Sequence, residues 1–223
     1  MMENQDKTIK ILYDDIVTDD EFYPDWGVSI YLDTGDHEIL FDVGHDENIL
    51  LHNMNQSNIS KEDIDIIVIS HRHWDHIGGL SAFEDQEVKI YVPESLTDRI
   101  MKEFDIQGWV ISVTDRVEIA DGIYSTGELG RAIKEQALIV ENDDGVYILT
   151  GCGHPGIGKI MDEASKIGKI KGIIGGYHGF DDLDLLEDIP LLVPCHCTML
   201  LDKIEERFPD SYRRCGVGTV LNL

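Results

Sequence analysis

Short apolar runs recur along the chain, bounded by Gly, Asp and Asn, and they set the expected elements. Runs rich in β-branched residues predict strands at Ile9–Tyr13, Val28–Leu32, Ile39–Val43, Ile64–Ile69, Val88–Val92, Ala137–Val140 and Val146–Leu149. Asp143-Asp144-Gly145 reads as the hairpin turn between the last two, because the turn needs residues that tolerate positive φ. Helical patterns are expected near Asp46–Asn55, Glu94–Phe104, Ile157–Ile167 and Met199–Phe208. Early strands cluster as hairpins and later ones alternate with helices, which points to sheets at the centre with helices outside. The two halves look loosely alike, each running strand, strand, His-bearing loop, helix, strand, a hint of internal duplication.

Composition bounds this picture. The chain has 223 residues, 42% of them apolar, which suits one large layered domain spanning residues 1–223; no linker or low-complexity tract marks a boundary. It carries 44 acidic against 18 basic residues, a formal charge of -26. Such a surface repels phosphate backbones and anionic membranes, so neither nucleic acid nor membrane is an expected partner. The four cysteines, Cys152, Cys195, Cys197 and Cys215, are expected as free thiols in a reducing compartment, since a globular chain of this size needs no disulfide staples. The polar stretch Met1–Lys10 lacks the apolar core of a signal peptide, and no apolar run reaches membrane-spanning length, so a cytoplasmic protein is expected.

The chemistry concentrates at one place. The expected strand Ile64–Ile69 runs into Ser70-His71-Arg72-His73-Trp74-Asp75-His76-Ile77-Gly78-Gly79. Extended backbone sends alternate residues to one side, so His71 and His73 can reach one metal ion. Where the chain turns to helix, Asp75 and His76 can point at a second, and the two glycines allow close backbone approach beneath. Imidazole with carboxylate suits Zn(II), and also Fe(II) or Mn(II).

The His-x-His-x-Asp-His run, preceded by Phe41-Asp42-Val43-Gly44, resembles the metallo-β-lactamase superfamily. That resemblance implies an α+β fold, a four-layer αβ/βα sandwich with two mixed sheets inside and helices outside, and two metal ions at one edge. It also implies that Asp42 supports the metal loop from behind. Two ions need further ligands. His37, His45 and His52 sit in turn-like or helical contexts and are read as bland. His154, in Thr150-Gly151-Cys152-Gly153-His154-Pro155, and His196, in Pro194-Cys195-His196-Cys197-Thr198, each follow a strand and precede a helix. Strand ends at one sheet edge are where sites in layered folds collect. The expected sets are His71, His73 and His154 for one ion and Asp75, His76 and His196 for the other. Asp75 is also expected to orient the attacking group.

Superfamily members often place an aspartate where Cys152 stands, bridging the ions. Cys152 is open to reading as a soft ligand, a nearby thiol or a packed small hydrophobe, with a non-ligand role favoured. Cys195 and Cys197 are read as packing residues. His178, in Gly175-Gly176-Tyr177-His178, faces the same edge and is a candidate substrate contact or proton donor, or else a supporting histidine.

Several segments, Thr126-Gly127-Glu128, Glu135-Gln136-Ala137-Leu138, Thr150-Gly151-Cys152-Gly153-His154-Pro155-Gly156-Ile157, Gly175-Gly176-Tyr177-His178, His196-Cys197-Thr198 and Val217-Gly218-Thr219, occur in an order that resembles the branch typified by 7,8-dihydropterin-6-yl-methyl-4-(β-D-ribofuranosyl)aminobenzene 5′-phosphate synthase. Met199, Gly153 and Gly179 depart from that branch. The segment between Leu80 and Thr126, expected to supply a substrate cap, is short; the metal chemistry therefore follows from the resemblance and the pterin substrate does not. The expected function is a two-metal hydrolase of a phosphorylated or ester-type small molecule acting through a metal-bound hydroxide. The alternatives are a pterin-type synthase whose ions bind a diphosphate leaving group, and a non-catalytic metabolite sensor on the same scaffold. A diiron redox site is disfavoured, because relatives of that kind carry Glu where His73 stands and add a flavodoxin domain.

Overall fold

The computed structural model describes residues 7–223. Met1–Asp6, the larger part of the stretch read as lacking a signal peptide, lie outside the described residues. The first sheet begins with an antiparallel meander of β1 (Thr8–Tyr13), β2 (Ser29–Asp33) and β3 (Glu38–Phe41), then adds β4 (Ile66–Val68), β5 (Lys89–Pro93) and β6 (Trp109–Val113) in parallel. The second repeats the scheme. β7 (Asp115–Ala120), β8 (Ile123–Gly127), β9 (Leu138–Asn142) and β10 (Gly145–Thr150) meander, and β11 (Ile170–Gly176) and β12 (Leu191–Cys195) follow in parallel. The C-terminal β13 (Val220–Asn222) returns to pair with β1. The loose likeness of the two halves is thus a likeness of topology. The expected split into early hairpins and later alternation happens twice, once per sheet.

Alternation along the strands sorts side chains into three apolar layers. Ile66 and Val68 of β4, with Phe41 of β3, meet Leu138 and Val140 of β9 and Leu149 of β10 between the sheets. Ile67 points the other way, onto α1 (Glu47–Gln56) and α3 (Glu94–Glu103), joining Leu50, Met54, Leu96 and Ile100. Ile139 and Ile148 turn outward from the second sheet to Ile157 and Ile160 of α4 (Ile157–Ala164), and Leu192 to Ile204 of α5 (Leu201–Arg207). Period-2 strands with both faces covered give helix, sheet, sheet, helix.

The expected strands and helices form, with shifted ends. Asp46 proves to be the N-cap of α1, its carboxylate accepting from the backbone amides of Asn48 and Ile49. β3 stops at Phe41 because Asp42 takes φ 59, turning the chain out of the sheet. Four strands were not anticipated: β6, β7, β8 and β13. β7 is an edge strand of charged composition with most of its side chains exposed, and β13 has three residues, so neither carries a buried-strand pattern. These strands also revise the expectation of a cap, because the segment from Leu80 to Thr126 is spent on β5, α3, β6, β7 and most of β8, which close one edge of each sheet.

The thiols need correction as well. Cys152 and Cys197 are free, but Cys195 and Cys215 form a disulfide. β12 carries Cys195 to the layer between the sheets, where the returning C-terminal segment places Cys215 within bonding reach. Spacing along the chain could not show that approach. Among the described residues, no helix is long and apolar enough to cross a membrane.

Candidate metal centre

The site lies where four strands end. The loop after β4 carries His71 and His73 and leads into the single turn α2 (Trp74–Ile77), which carries Asp75 and His76. The loops after β10, β11 and β12 carry His154, His178 and His196. Parallel strands place their C-terminal ends on one side of a sheet, so residues far apart in sequence converge.

Three imidazoles meet first. His71 Nε2 lies 2.9 Å from His73 Nδ1, and His154 Nε2 lies 3.4 Å from the same atom. A second group gathers around Asp75, whose Oδ2 is 3.1 Å from His196 Nε2 and 3.5 Å from His76 Nε2. The rings of His71 and His76, 4.1 Å apart, join the two groups. Two ligands of one tetrahedral ion with bonds of about 2.0–2.1 Å stand about 3.3 Å apart, so both groups have the spacing of donors around an ion.

For three of the rings the far side explains the aim. Asp42 is fully buried; its Oδ1 accepts from the Ser70 amide at 2.6 Å, and its Oδ2 accepts from Ser70 Oγ at 2.5 Å and from His76 Nδ1 at 2.7 Å. Ser70 spends its one hydroxyl proton on Asp42. His71 Nδ1, 2.9 Å from Ser70 Oγ, must therefore donate, which leaves the His71 Nε2 lone pair facing the site. His196 Nδ1 is held by Asp15 Oδ1 at 2.9 Å. Such outer partners fix the ring and raise its basicity, the arrangement found behind metal-ligating histidines.

Electrostatics separate the two groups. Burial holds His71 well below the usual imidazole range, with the neighbouring imidazoles adding to it, and lowers His73 and, to about 4, His154. These rings are neutral and present lone pairs. Burial opposes protonation of His76 and His196 too, but Asp42 and Asp75 outweigh it at His76, raising it to about 10, and Asp15 and Asp75 outweigh it at His196, raising it to about 9. Asp75 is itself held below the ordinary carboxylate range: burial works against this, and the hydrogen bonds from His196 and His76 prevail. The second group is thus knit by protons on Nε2 atoms, in the positions an ion would take.

The cavity over these donors has a volume of about 320 Å³ and is walled by Trp26 and Trp74, with His178 at its side. The His178 ring is 4.9 Å from that of His154, and its backbone takes φ 45; it joins neither donor group. Beside the cavity the Arg99 guanidinium lies 6.0 Å from the Trp74 ring and donates to the Arg72 carbonyl. His37 and His52 stand apart from the donors; His45 contacts Asp25 and is also outside both groups.

The structure gathers all six residues expected as ligands, and it sets Asp42 behind them. It adds others to which the sequence reading gave no role. Glu135, fully buried, accepts from the backbone amides of Cys152, Gly153 and His154 at 3.0, 2.8 and 2.9 Å, and so shapes the His154 loop. Asp15 braces His196, and buried Asp14 accepts from the His196 amide at 2.9 Å. An acidic pair directly after a strand was the available signal for Asp14 and Asp15; for Glu135 the signal was its place in the Glu135-Gln136-Ala137-Leu138 segment, which carried resemblance but no stated role.

Comparison with known proteins identifies the family. The chain is 26% identical to a 7,8-dihydropterin-6-methyl-4-(beta-D-ribofuranosyl)-aminobenzene-5'-phosphate synthase of Methanocaldococcus jannaschii, over 82% of this chain and 83% of the relative. It is 28% identical to an uncharacterized protein of the same organism, over 85% and 90%. Among solved structures, Tm1679, described as a metal-dependent hydrolase of the beta-lactamase superfamily, superposes with a TM-score of 0.81 at 22% identity, over 97% of this chain and 99% of that one. The family model of the metallo-beta-lactamase superfamily matches residues 23–163, more than half of the sequence, and the chain belongs to that superfamily.

Proposed function

We propose that this protein is a two-metal hydrolase of a phosphorylated or ester-type small molecule. His71, His73 and His154 hold one divalent ion, and Asp75, His76 and His196 hold the other. The observation that carries the reading is that the six donors converge while Ser70, Asp42 and Asp15 occupy the opposite nitrogens of His71, His76 and His196. The mixed nitrogen and oxygen donors suit Zn(II), with Fe(II) and Mn(II) as alternatives. Ions held there would supply Lewis acidity and acidify a bound water.

The chain's own residues do the rest. Asp75 binds and orients through one carboxylate, fixed by two imidazoles. His178, on the cavity wall beside His154, is placed to meet the leaving group and give it a proton. Trp26 and Trp74 offer flat apolar walls, which fit a substrate with a planar part, while Arg99 beside Trp74 is paired with Glu103. A small-molecule partner suits the size of the cavity. Localisation in the cytoplasm remains our reading.

The test is metal analysis of protein purified without added zinc, then a screen against phosphodiesters, phosphomonoesters, thioesters and lactones. Two ions per chain and turnover of one class are expected, with both lost in His71→Ala and Asp75→Ala. Unchanged metal content and turnover in those variants would overturn the proposal. A second reading, a pterin-type synthase whose ions hold a diphosphate leaving group, is favoured by the 26% identity to the methanogen synthase. Condensation of a pterin methyl diphosphate with an aryl ribose phosphate, without hydrolysis in the screen, would select it.

A further inference from the structure

We infer that Cys152 is a metal ligand, its sulfur shared between the two ions. The inference rests on the two-metal reading above and adds a donor of a different chemical class to it.

Cys152 sits at the start of the loop that follows β10, 3% exposed, with its backbone amide held by Glu135. Its Sγ is 3.3 Å from His76 Nε2. A nitrogen and a sulfur bound to one tetrahedral ion at about 2.0–2.1 and 2.3 Å stand about 3.5 Å apart, so this contact has the spacing of two ligands of one ion. The same sulfur belongs to two close groups of donor atoms, one with His71 and His76 and the other with His196 and Cys197, each lying within 4.8 Å. His71 is a donor of the first ion, and His76 and His196 are donors of the second. Among the described residues outside the two donor sets, Cys152 is the side chain that shares close groups with donors of both, and so stands where a bridging ligand would stand.

The surroundings keep that sulfur in place. Gly176 faces the Cys152–Cys197 pair. A Cβ there would lie 2.8 Å from Cys197 Sγ, 3.1 Å from the Cys152 Cα and 2.4 Å from the Gly151 carbonyl. Cys197 sits against the Cys152 backbone carbonyl, its thiol 3.9 Å away, and shares no close donor group with His71. Cys197 therefore backs Cys152 from the side of the second ion and acts as a positioning residue.

Coordination replaces the thiol proton: the ion binds the Cys152 thiolate and one proton leaves to solvent. A shared thiolate would bias the centre toward Zn(II) or Fe(II) and against Mn(II), whose preference is for oxygen donors.

The test uses the full chain, stripped of metal with a chelator and refilled with Co(II) under anaerobic conditions without thiol reductants. Metal stoichiometry is measured beside the absorption spectrum. Two Co(II) per chain and a near-ultraviolet thiolate-to-cobalt charge-transfer band are expected. The band should vanish in Cys152→Ser and in Cys152→Asp, the latter keeping both ions because its carboxylate can bridge, and should persist in Cys197→Ser. Two bound ions with no such band would overturn the sulfur ligand and leave the two-metal reading standing. So would a band kept in Cys152→Ser and lost in Cys197→Ser. Failure of the wild type to bind Co(II) at all would overturn both.

Discussion

Asp15 shows what one residue outside the donor set contributes. Its carboxylate meets the far nitrogen of His196 at 2.9 Å and accepts from the Gly27 amide at 3.3 Å, and the first contact fixes the tautomer and the aim of that ring. Its side chain is 41% exposed, so removing it leaves only the Gly27 amide, a long 3.3 Å contact, without its acceptor. Asp15→Ala is therefore expected to leave the unfolding midpoint nearly unchanged while weakening the second ion about 10–100-fold, the usual cost of removing such a partner. A competitive zinc titration reads that loss directly. Asp14, its neighbour, behaves differently because it is buried. Burial pushes its carboxyl up from the ordinary 3.8 to about 6, against the backbone hydrogen bonds from His196 and Ile16. The folded state thus holds this proton more tightly than the unfolded state does. Its contribution to stability is full below pH 3.8 and is lost as pH rises through about 6. The change corresponds to about 3 kcal/mol. Urea unfolding of wild type and Asp14→Asn across pH 4.5 to 7.5 should show the gap between them shifting toward the variant as pH rises. A pH-independent gap would contradict the assignment.

At the scale of elements, the site depends on how closely two loops approach. The loop after β10 passes over Ser70 and Asp42 at Gly151, where a Cβ would stand 2.1 Å from Ser70 Oγ and 3.0 Å from Asp42 Oδ2. No rotamer of Ser70 could keep its bond to Asp42 beside that methyl group. Gly151→Ala is expected to cost about 1–3 kcal/mol through overpacking, and to lower metal retention by disturbing the partners of both His71 and His76. Gly179→Ala is the control, since its Cβ would meet only Met199 Sδ at 3.6 Å. Thermal unfolding with metal analysis of both variants checks the pair; equal behaviour would count against the crossing as the cause. Glu135 works at the same scale, giving the turn from Cys152 to His154 three amide bonds to one buried carboxylate.

At the scale of the molecule, the disulfide fastens the two sheets near the site. Cys195 ends β12 in the second sheet, and Cys215 precedes the segment that returns to the first sheet as β13. The bond closes a loop with a sequence separation of 20. Chain entropy alone makes such a closure worth about 3 kcal/mol. Cys195→Ala/Cys215→Ala should lose that much in denaturant unfolding and should loosen His196, the residue after Cys195, which would appear as faster release of one ion to a chelator. An unchanged midpoint and unchanged release would show that the bond does not brace the centre.

The run from Ser70 to Gly79 made the candidate donor cluster legible, because donor spacing within one strand-to-helix turn is a local property. Strand alternation likewise made the layered core legible, since burial of both sheet faces leaves a periodic trace. His154 and His196 could be paired with the run only through strand-end position and resemblance, and the fold brings them to it. The remaining features depend on distance in space between residues far apart in sequence. Asp15 meets His196 across 181 positions, Glu135 reaches the His154 loop across 19, and Cys152 meets His76 across 76. The sequence alone determined which atoms could bind an ion and which faces would be buried. Tertiary structure alone decided what stands behind each imidazole, which two cysteines join, and that a sulfur lies between the two donor groups, because only the packing of the two sheets fixes those separations.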